Sequence, residues 1–330
     1  MAILFVSGVN DVSTIGVSLD DKGRPIYLMD GNASVEHRLP LKDGVAASLL
    51  IFGKGVKQKS IEFRVPPSLI FNQIADPDTH QGALERCVEL CEQLNTTVIN
   101  HPRWVLQNSR EQTAQKLQGI PGVVVPRTQR FRPRSPDEVF SRATAEGFRF
   151  PFIIREAGRH GGQSMLRVSS HDDYPRLHAL PFDGRDFYLI QFIDYQDGEG
   201  LYHKQRIAVI DGEVILRHAL YGPHWKVHGA SRPFMLEREG WEGLKAREEI
   251  LEKDVLPGLR SAFVEIAERL QLEYFGIDCC ITGDGRIIVF EANAAMNLLL
   301  NRTQHRKARA ARLQDRLHKM LTRYSGEKVI

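Results

Sequence analysis

Residues 274–297, YFGIDCCITGDGRIIVFEANAAMN, constrain this chain more than any other stretch, because they specify a β-hairpin that carries acids among apolar neighbours. Two runs of strand formers, Gly276 to Thr282 and Ile287 to Ala292, flank Gly283-Asp284-Gly285-Arg286, a connection rich in residues that tolerate positive φ. If Thr282 faces Ile287, the register sets Asp278 directly opposite Glu291, and Asn293 shares the face of Glu291. Opposed side chains in such a pair have Cβ atoms roughly 4.5–5.5 Å apart, and like charges there repel. The acids are then either solvated, one of them paired to Arg286, or held by a cation. A site with few hard oxygen ligands and room for water and phosphate suits Mg²⁺ held together with a nucleotide. Phe275, Ile277, Ile288, Val289 and Phe290 make the hairpin largely apolar, which favours a cleft over open water.

The run GIDCCITGDGRIIVFEANAAM resembles the C-terminal metal hairpin of the ATP-grasp ligases, in the glutathione synthetase and RimK-like branch, whose pattern ends in Glu-x-Asn. The resemblance covers roughly residues 105–300. It implies an α/β (α+β ATP-grasp) fold: an N-terminal mixed α/β domain (1–105), a central lid subdomain (106–190) and a C-terminal subdomain (191–330) with the metal hairpin and a basic last helix. It also implies ATP as cofactor, with Asp278, Glu291 and Asn293 holding Mg²⁺ or Mn²⁺.

The N-terminal segment reads as alternating strands and a helix. Strands are expected at Ala2 to Ser7, Pro25 to Met29, Ala46 to Phe52, Ser68 to Gln73 and Thr97 to Asn100. Leu84, Cys87, Val88, Cys91 and Leu94 recur at helical spacing after Asp76-Pro77-Asp78-Thr79, and Asn95 stops that helix. Gly8, Gly16 and Gly23 are too scattered for a phosphate fingerprint.

Ser109-Arg110-Glu111-Gln112 is a capping box, and Ser135-Pro136-Asp137-Glu138 is a second, with Pro136 at the first helical position. FPFIIREAGRHGGQSMLRV reads as two strands joined by a glycine-rich loop, a plain hairpin or a lid whose backbone N–H groups can lie on phosphate oxygens. The resemblance selects the lid and assigns Arg110, Arg155, His160, Gly161 and Gly162 to the nucleotide phosphates, with Arg at two positions where the family has Lys. Arg keeps the charge and offers a planar fork suited to phosphate. The resemblance further assigns main-chain groups of Gln191 and Ile193 to the adenine, Asp197 (with Glu199 as its competitor) to the ribose, and Arg206, which faces the same way as Lys204, to the transferred phosphoryl group.

His218, His224 and His228 lie at spacings of six and four, which do not define a tetrahedral metal site; 218–234 is expected to be a loop over the acceptor. Glu242 to Leu272 reads as a helix interrupted near Pro257. Residues 302–328 hold nine Lys or Arg against two acids, an arginine stripe on a helix to about Tyr324. A solvated helix face is the expectation there, and nucleic acid is not expected as a partner, since neither interleaved aromatics nor a recognition motif accompanies the stripe.

Four cysteines in 330 residues make neither a disulfide framework nor a zinc site, so buried free thiols are expected. The start lacks a basic leader and no apolar run approaches a membrane span, which together point to a cytoplasmic, membrane-free protein. An exposed N-terminal sheet is compatible with a homodimer. The implied activity is an ADP-forming carboxylate–amine ligase working on a small-molecule or peptide carboxylate and amine through an acyl phosphate. An ATP-binding regulatory module and an ATP-grasp kinase are the alternatives.

Overall fold

The computed structural model describes residues 2–326 except 21, 34, 36–38, 40–44, 54, 58–61, 64, 160, 161, 163, 295, 297 and 300–305. The N-terminal part contains β1 (Ala2–Gly8), β2 (Gly16–Leu19), β3 (Pro25–Leu28), β4 (Val45–Ile51), β5 (Leu69–Asn72), α1 (Gln81–Leu94) and β6 (Thr97–Ile99). Strands β4-β1-β5-β6 form a parallel sheet, while β2 and β3 pair as a separate hairpin. Parallel strands covered on both faces read as unbroken apolar runs, and Leu69–Asn72 is buried at every position. Asn95 ends α1 in the left-handed conformation, as its place after the last periodic leucine suggested.

Next come α2 (Pro102–Val105), α3 (Arg110–Lys116) and β7 (Val123–Val124). The Ser109–Gln112 capping box forms in both directions and fixes where α3 starts, which is what places Arg110. The lid comprises β8 (Thr128–Phe131), α4 (Pro136–Ala145), β9 (Phe152–Glu156), β10 (Met165–Val168), α5 (Tyr174–Leu177) and β11 (Phe187–Gln191), with the antiparallel order β10-β9-β11-β8.

The C-terminal part holds β12 (Tyr202–Ile210), β13 (Glu213–Gly222), α6 (Arg232–Ile250), α7 (Leu256–Leu270), β14 (Tyr274–Ile281), β15 (Ile287–Asn293) and α8 (Lys307–Tyr324). Its sheet runs β13-β12-β14-β15-β7, and the parallel pairing of β7 with β15 ties the segment after α3 to this sheet. The expected helix from 242 begins earlier, at Arg232, and is broken by Gly240 at φ 64° and by a π-helical turn at Leu251–Val255 just before Pro257. A proline ring cannot follow a regular turn without losing a hydrogen bond and meeting a carbonyl, and the wider turn relieves both.

Two cores run through both ends of the chain. One packs Leu4, Val6, Ile70 and Cys87 of the N-terminal part with Ile207, Phe263, Ile277 and Val289 of the C-terminal part. Another joins Ile3, Phe5 and Phe71 to Ile210, Tyr274, Leu313 and Leu317. The lid core is separate, and every one of its members lies between Phe131 and Leu189. The four cysteines are buried and free. Among the described residues, no helix is long and apolar enough to cross a membrane.

The basic stripe on α8 faces inward acids. Arg306 and Arg309 pair with the buried Glu248 of α6, Arg309 and Arg312 with Glu252, and Arg316 and Arg323 with Asp211. The stripe is therefore an ion-pair seam inside the C-terminal part, not the solvated face that helical periodicity suggested. Arg302 lies outside the described residues.

Candidate functional site

The site is a row of side chains laid across the C-terminal sheet by strand register. Arg206 on β12 is paired with Asp278 on β14, and Asp278 with Glu291 on β15; on the other side Arg206 faces His218 on β13. His218, Arg206, Asp278 and Glu291 therefore share one face. Both outer strands are bulged at this row. Arg217 is the extra residue in β13, because Arg206 faces His218 while Ile207 faces Leu216. Phe290 is the extra residue in β15, because Cys279 faces Val289 while Asp278 faces Glu291.

These bulges correct two expectations. The hairpin tip pairs Ile281, not Thr282, with Ile287, a slip of one residue that would have turned Glu291 into the core; the bulge at Phe290 restores it to the face of Asp278. His218 lies in β13, which continues to Gly222, and not in a loop. The buried Ala219, Leu220 and Tyr221 keep that strand paired to β12.

Asp278 is buried, and its two oxygens are both engaged: Oδ1 accepts from Arg206 Nε at 2.7 Å, and Oδ2 from Arg206 Nη2 at 2.9 Å and Lys204 Nζ at 3.1 Å. Burial alone would raise its pKa; the Arg206 fork and Lys204 outweigh that and hold the carboxyl well below its ordinary range. Glu291 Oε1 accepts from Asn293 Nδ2 at 2.7 Å and lies 3.1 Å from Arg110 Nη2. Arg110 Nη1 donates to the carbonyl of Phe290, the bulged residue, at 2.7 Å. The opposed acids are thus compensated by the protein's own cations, Arg206, Lys204 and Arg110. Repulsion between them does not by itself require a metal.

A second row crosses the lid. Met165, Arg155, Tyr188 and Arg130 are register partners on β10, β9, β11 and β8. Arg155 is buried and donates Nη2 to the carbonyl of Arg159, while its Nε finds no partner among the described residues. Burial, followed by repulsion from Arg110, pushes its guanidinium down to about 10, and Glu291 and Asp78 pull the other way. The lid row and the sheet row are therefore electrostatic neighbours across the cleft, with Arg110 between them.

The lid loop meets the rest of the protein through glycines. Gly162 has φ +74°, and a Cβ there would sit 2.5 Å from Lys226 Cε. His160 and Gly161 lie outside the described residues. Of the residues assigned to the base and ribose, Ile193 and Asp197 line a cavity of about 930 Å³ that also touches His203, Gln205, Tyr221, Glu239 and Arg247. Gln191 is exposed, and its N–H is already donated to Arg127 at 2.8 Å. Asp197 accepts from the N–H groups of Glu199 and Leu201 and from His203 Nε2 at 2.6 Å, so its carboxylate organises its own turn. Arg110, Glu291 and Asn293 instead line a small cavity of about 70 Å³ with Asp76 and Asp78 of the N-terminal part. Tyr195 packs on Phe290 with ring centroids 4.9 Å apart, between these two groups of residues.

Sequence reasoning did not find Asp78, Arg130 or Tyr188 as site residues, and it placed His218 in a loop over the acceptor. Strand periodicity in DFYLIQFID could have flagged the face of Tyr188, but nothing local says that Asp78 meets it.

The chain has the ATP-grasp fold, an α/β architecture in which a lid and a second sheet flank a cleft. It aligns with the VanG D-Ala:D-Ser ligase of Enterococcus faecalis at a TM-score of 0.57 and 13% identity, covering 97% of this chain and 98% of that one. It aligns with a RimK domain ATP-grasp protein of Sphaerobacter thermophilus at 0.50 and 14%, covering 97% and 99%. With the N5-carboxyaminoimidazole synthetase of Staphylococcus aureus complexed with ADP the values are 0.56 and 9%, covering 100% and 78%. No protein-family model and no curated protein sequence matches the chain.

Proposed function

We propose that this protein is an ATP-dependent, ADP-forming ligase that joins a carboxylate to an amine through an acyl phosphate. The observation that carries the reading is the pair of facing rows, Arg155 with Tyr188 and Arg130 on the lid, and Arg206, Asp278 and Glu291 on the sheet, with Arg110 between them. Neighbours of the same fold that are named as ligases support the class, not the substrates.

The chemistry asks for such an arrangement. A carboxylate is a poor electrophile until one of its oxygens attacks the γ-phosphorus of ATP and the bond to the β-phosphate oxygen breaks, releasing ADP. The amine nitrogen then attacks the acyl carbon and inorganic phosphate leaves. Phosphoryl transfer needs positioning and charge neutralisation more than covalent help from the protein. Arg155, with a buried nitrogen to offer, and Arg110 would hold phosphate oxygens. Arg206 spends Nε and Nη2 on Asp278, which fixes the guanidinium and leaves Nη1 to meet charge on the transferred group.

The donor set suits a hard divalent cation, two carboxylates and an amide on one sheet face. Glu291, Asn293 and Asp278 would hold Mg²⁺ or Mn²⁺, with Lys204 giving up its bond to Asp278. When bound, the ion would neutralise triphosphate charge. Ile193 and Asp197 in the larger cavity remain the residues proposed for base and ribose, and His160, Gly161 and Gly162 for the phosphates.

An ATP-binding module without turnover is the second reading. It is favoured by one observation, that Asp278 is already saturated by Arg206 and Lys204. Measuring ADP release with panels of carboxylates and amines separates the two. Amide product with stoichiometric ADP supports the ligase, a phosphorylated alcohol would make it a kinase, and nucleotide binding with no release at all would leave the regulatory module.

A further inference from the structure

The N-terminal part meets the lid at a short loop, Asp76 to His80. Asp78 accepts from Tyr188 Oη at 2.8 Å on one oxygen and 2.9 Å on the other, and Arg130 Nη1 donates to it at 3.0 Å. Arg130 is held in turn by Asp186 of the lid at 2.7 Å, and its backbone N–H donates to Glu111 of α3 at 3.0 Å. One residue on, Thr79 packs against the lid glycine, Gly158, whose φ is +71°; a Cβ there would stand 2.3 Å from Thr79 Cγ2. The loop thus grips the lid at a strand face and at its turn.

Two further observations give this grip a consequence. Among the described residues the lid core is made only of lid residues, so none of the apolar cores described is shared between the lid and the rest. Tyr188 is the register partner of Arg155 on one side and of Arg130 on the other, so the bonds of Asp78 land on the residue beside Arg155 in the lid row and on the next one beyond it.

We propose that Asp78 is a positioning residue: it latches the closed lid to the N-terminal part and, through Tyr188 and Arg130, sets Arg155 above the sheet row. In this role Asp78 acts through Tyr188 and Arg130. It decides how often, and in what orientation, the lid's cation stands over the cleft. The latch itself stands on geometry alone, whereas its effect on nucleotide rests on the ligase reading.

Hydrogen exchange on the full chain tests it. Asp78→Ala is expected to speed exchange in peptides covering 128–131, 152–159 and 187–191 by about tenfold, the size expected for losing hydrogen bonds to a charged group. Exchange in β1, β5 and β14 should stay within a factor of about two. Tyr188→Phe removes a single hydroxyl and should loosen the same peptides. In the double variant it should add nothing, and Asp78→Asn, which keeps an acceptor for Tyr188, should recover part of the protection. Should Asp78→Ala fail to fold, Tyr188→Phe and Asp78→Asn read the same bond. Unchanged lid exchange in both single variants, or fully additive effects, overturns the latch.

The Mg²⁺ complex of AMP-PNP, a nonhydrolysable ATP analogue, keeps the two claims apart. Protection of the wild-type lid, with affinity about tenfold weaker in Asp78→Ala, supports both. A lid loosened by Asp78→Ala but indifferent to the analogue supports the latch and removes the ligase reading.

Discussion

Asp278 shows how a single carboxylate is stabilised and why it is costly to disturb. It is buried against Arg206 and Lys204, so its removal strands two partly buried cations without their counter-ion. Asp278→Ala is expected to cost about 3–5 kcal/mol, read from urea denaturation. The pH dependence follows from the direction of its shift. A carboxyl whose pKa is depressed on folding contributes stability that is complete above its unfolded value near about 4 and is lost as pH falls through the folded value. Wild-type protein should therefore lose stability more steeply than Asp278→Asn on acidification below about pH 4, measured as the urea midpoint against pH. Glu291 is a different case, because it is half-exposed and touches Arg110 and Asn293 without being submerged. Glu291→Gln keeps the shape, should leave the melting temperature within about 2 °C, and should abolish ADP release. Activity that survives it would count against the ligase assignment.

At the scale of elements, what could be read from the sequence was local chemistry. The capping box at Ser109, the N-cap at Ser135, the left-handed stop at Asn95 and most strands stand where propensity and periodicity put them, while Glu138 closes no reciprocal box and accepts instead from the N–H of Arg134. The opposition of Asp278 and Glu291 was reached through a hairpin register that is off by one at the tip, and it holds only because Phe290 bulges. Bulges were not legible, since an extra residue in a strand carries no compositional mark when it is itself a good strand former. The same holds for Arg217, which sat in a presumed loop boundary. The fate of the arginines on α8 was illegible for another reason: Glu248, Glu252 and Asp211 lie about 60 to 110 residues away, and periodicity reports a face but not its partner. With those charges consumed internally, the protein should show no binding to duplex DNA by fluorescence anisotropy at physiological salt. Glu248→Ala should instead uncouple α8 from α6 at a cost of about 3–5 kcal/mol.

Across the whole molecule, the first and last parts of the chain share apolar cores while the residues from Phe131 to Leu189 pack around one of their own. Asn100 ties the first and last parts further, accepting from the N–H groups of Glu273 and Tyr274 at 3.0 Å each and donating its side-chain amide to Tyr274 O at 2.6 Å. A core variant in the lid, Ile154→Ala, should therefore lower lid stability by about 2–5 kcal/mol while leaving the transition of the rest of the chain in place, resolved by hydrogen exchange.

The solitary Nε of Arg155 gives the cleft a thermodynamic bias of its own. A desolvated donor without a hydrogen-bond partner among the described residues raises the free energy of the protein, and a second guanidinium at Arg110 raises it further. Simple polyanions should therefore act as thermal stabilisers before any question of turnover arises. Titrating pyrophosphate or tripolyphosphate should lift the melting temperature in proportion to the logarithm of concentration once the site is saturated. Replacing Arg155 by methionine should flatten that response while making the vacant protein no less heat-resistant than before.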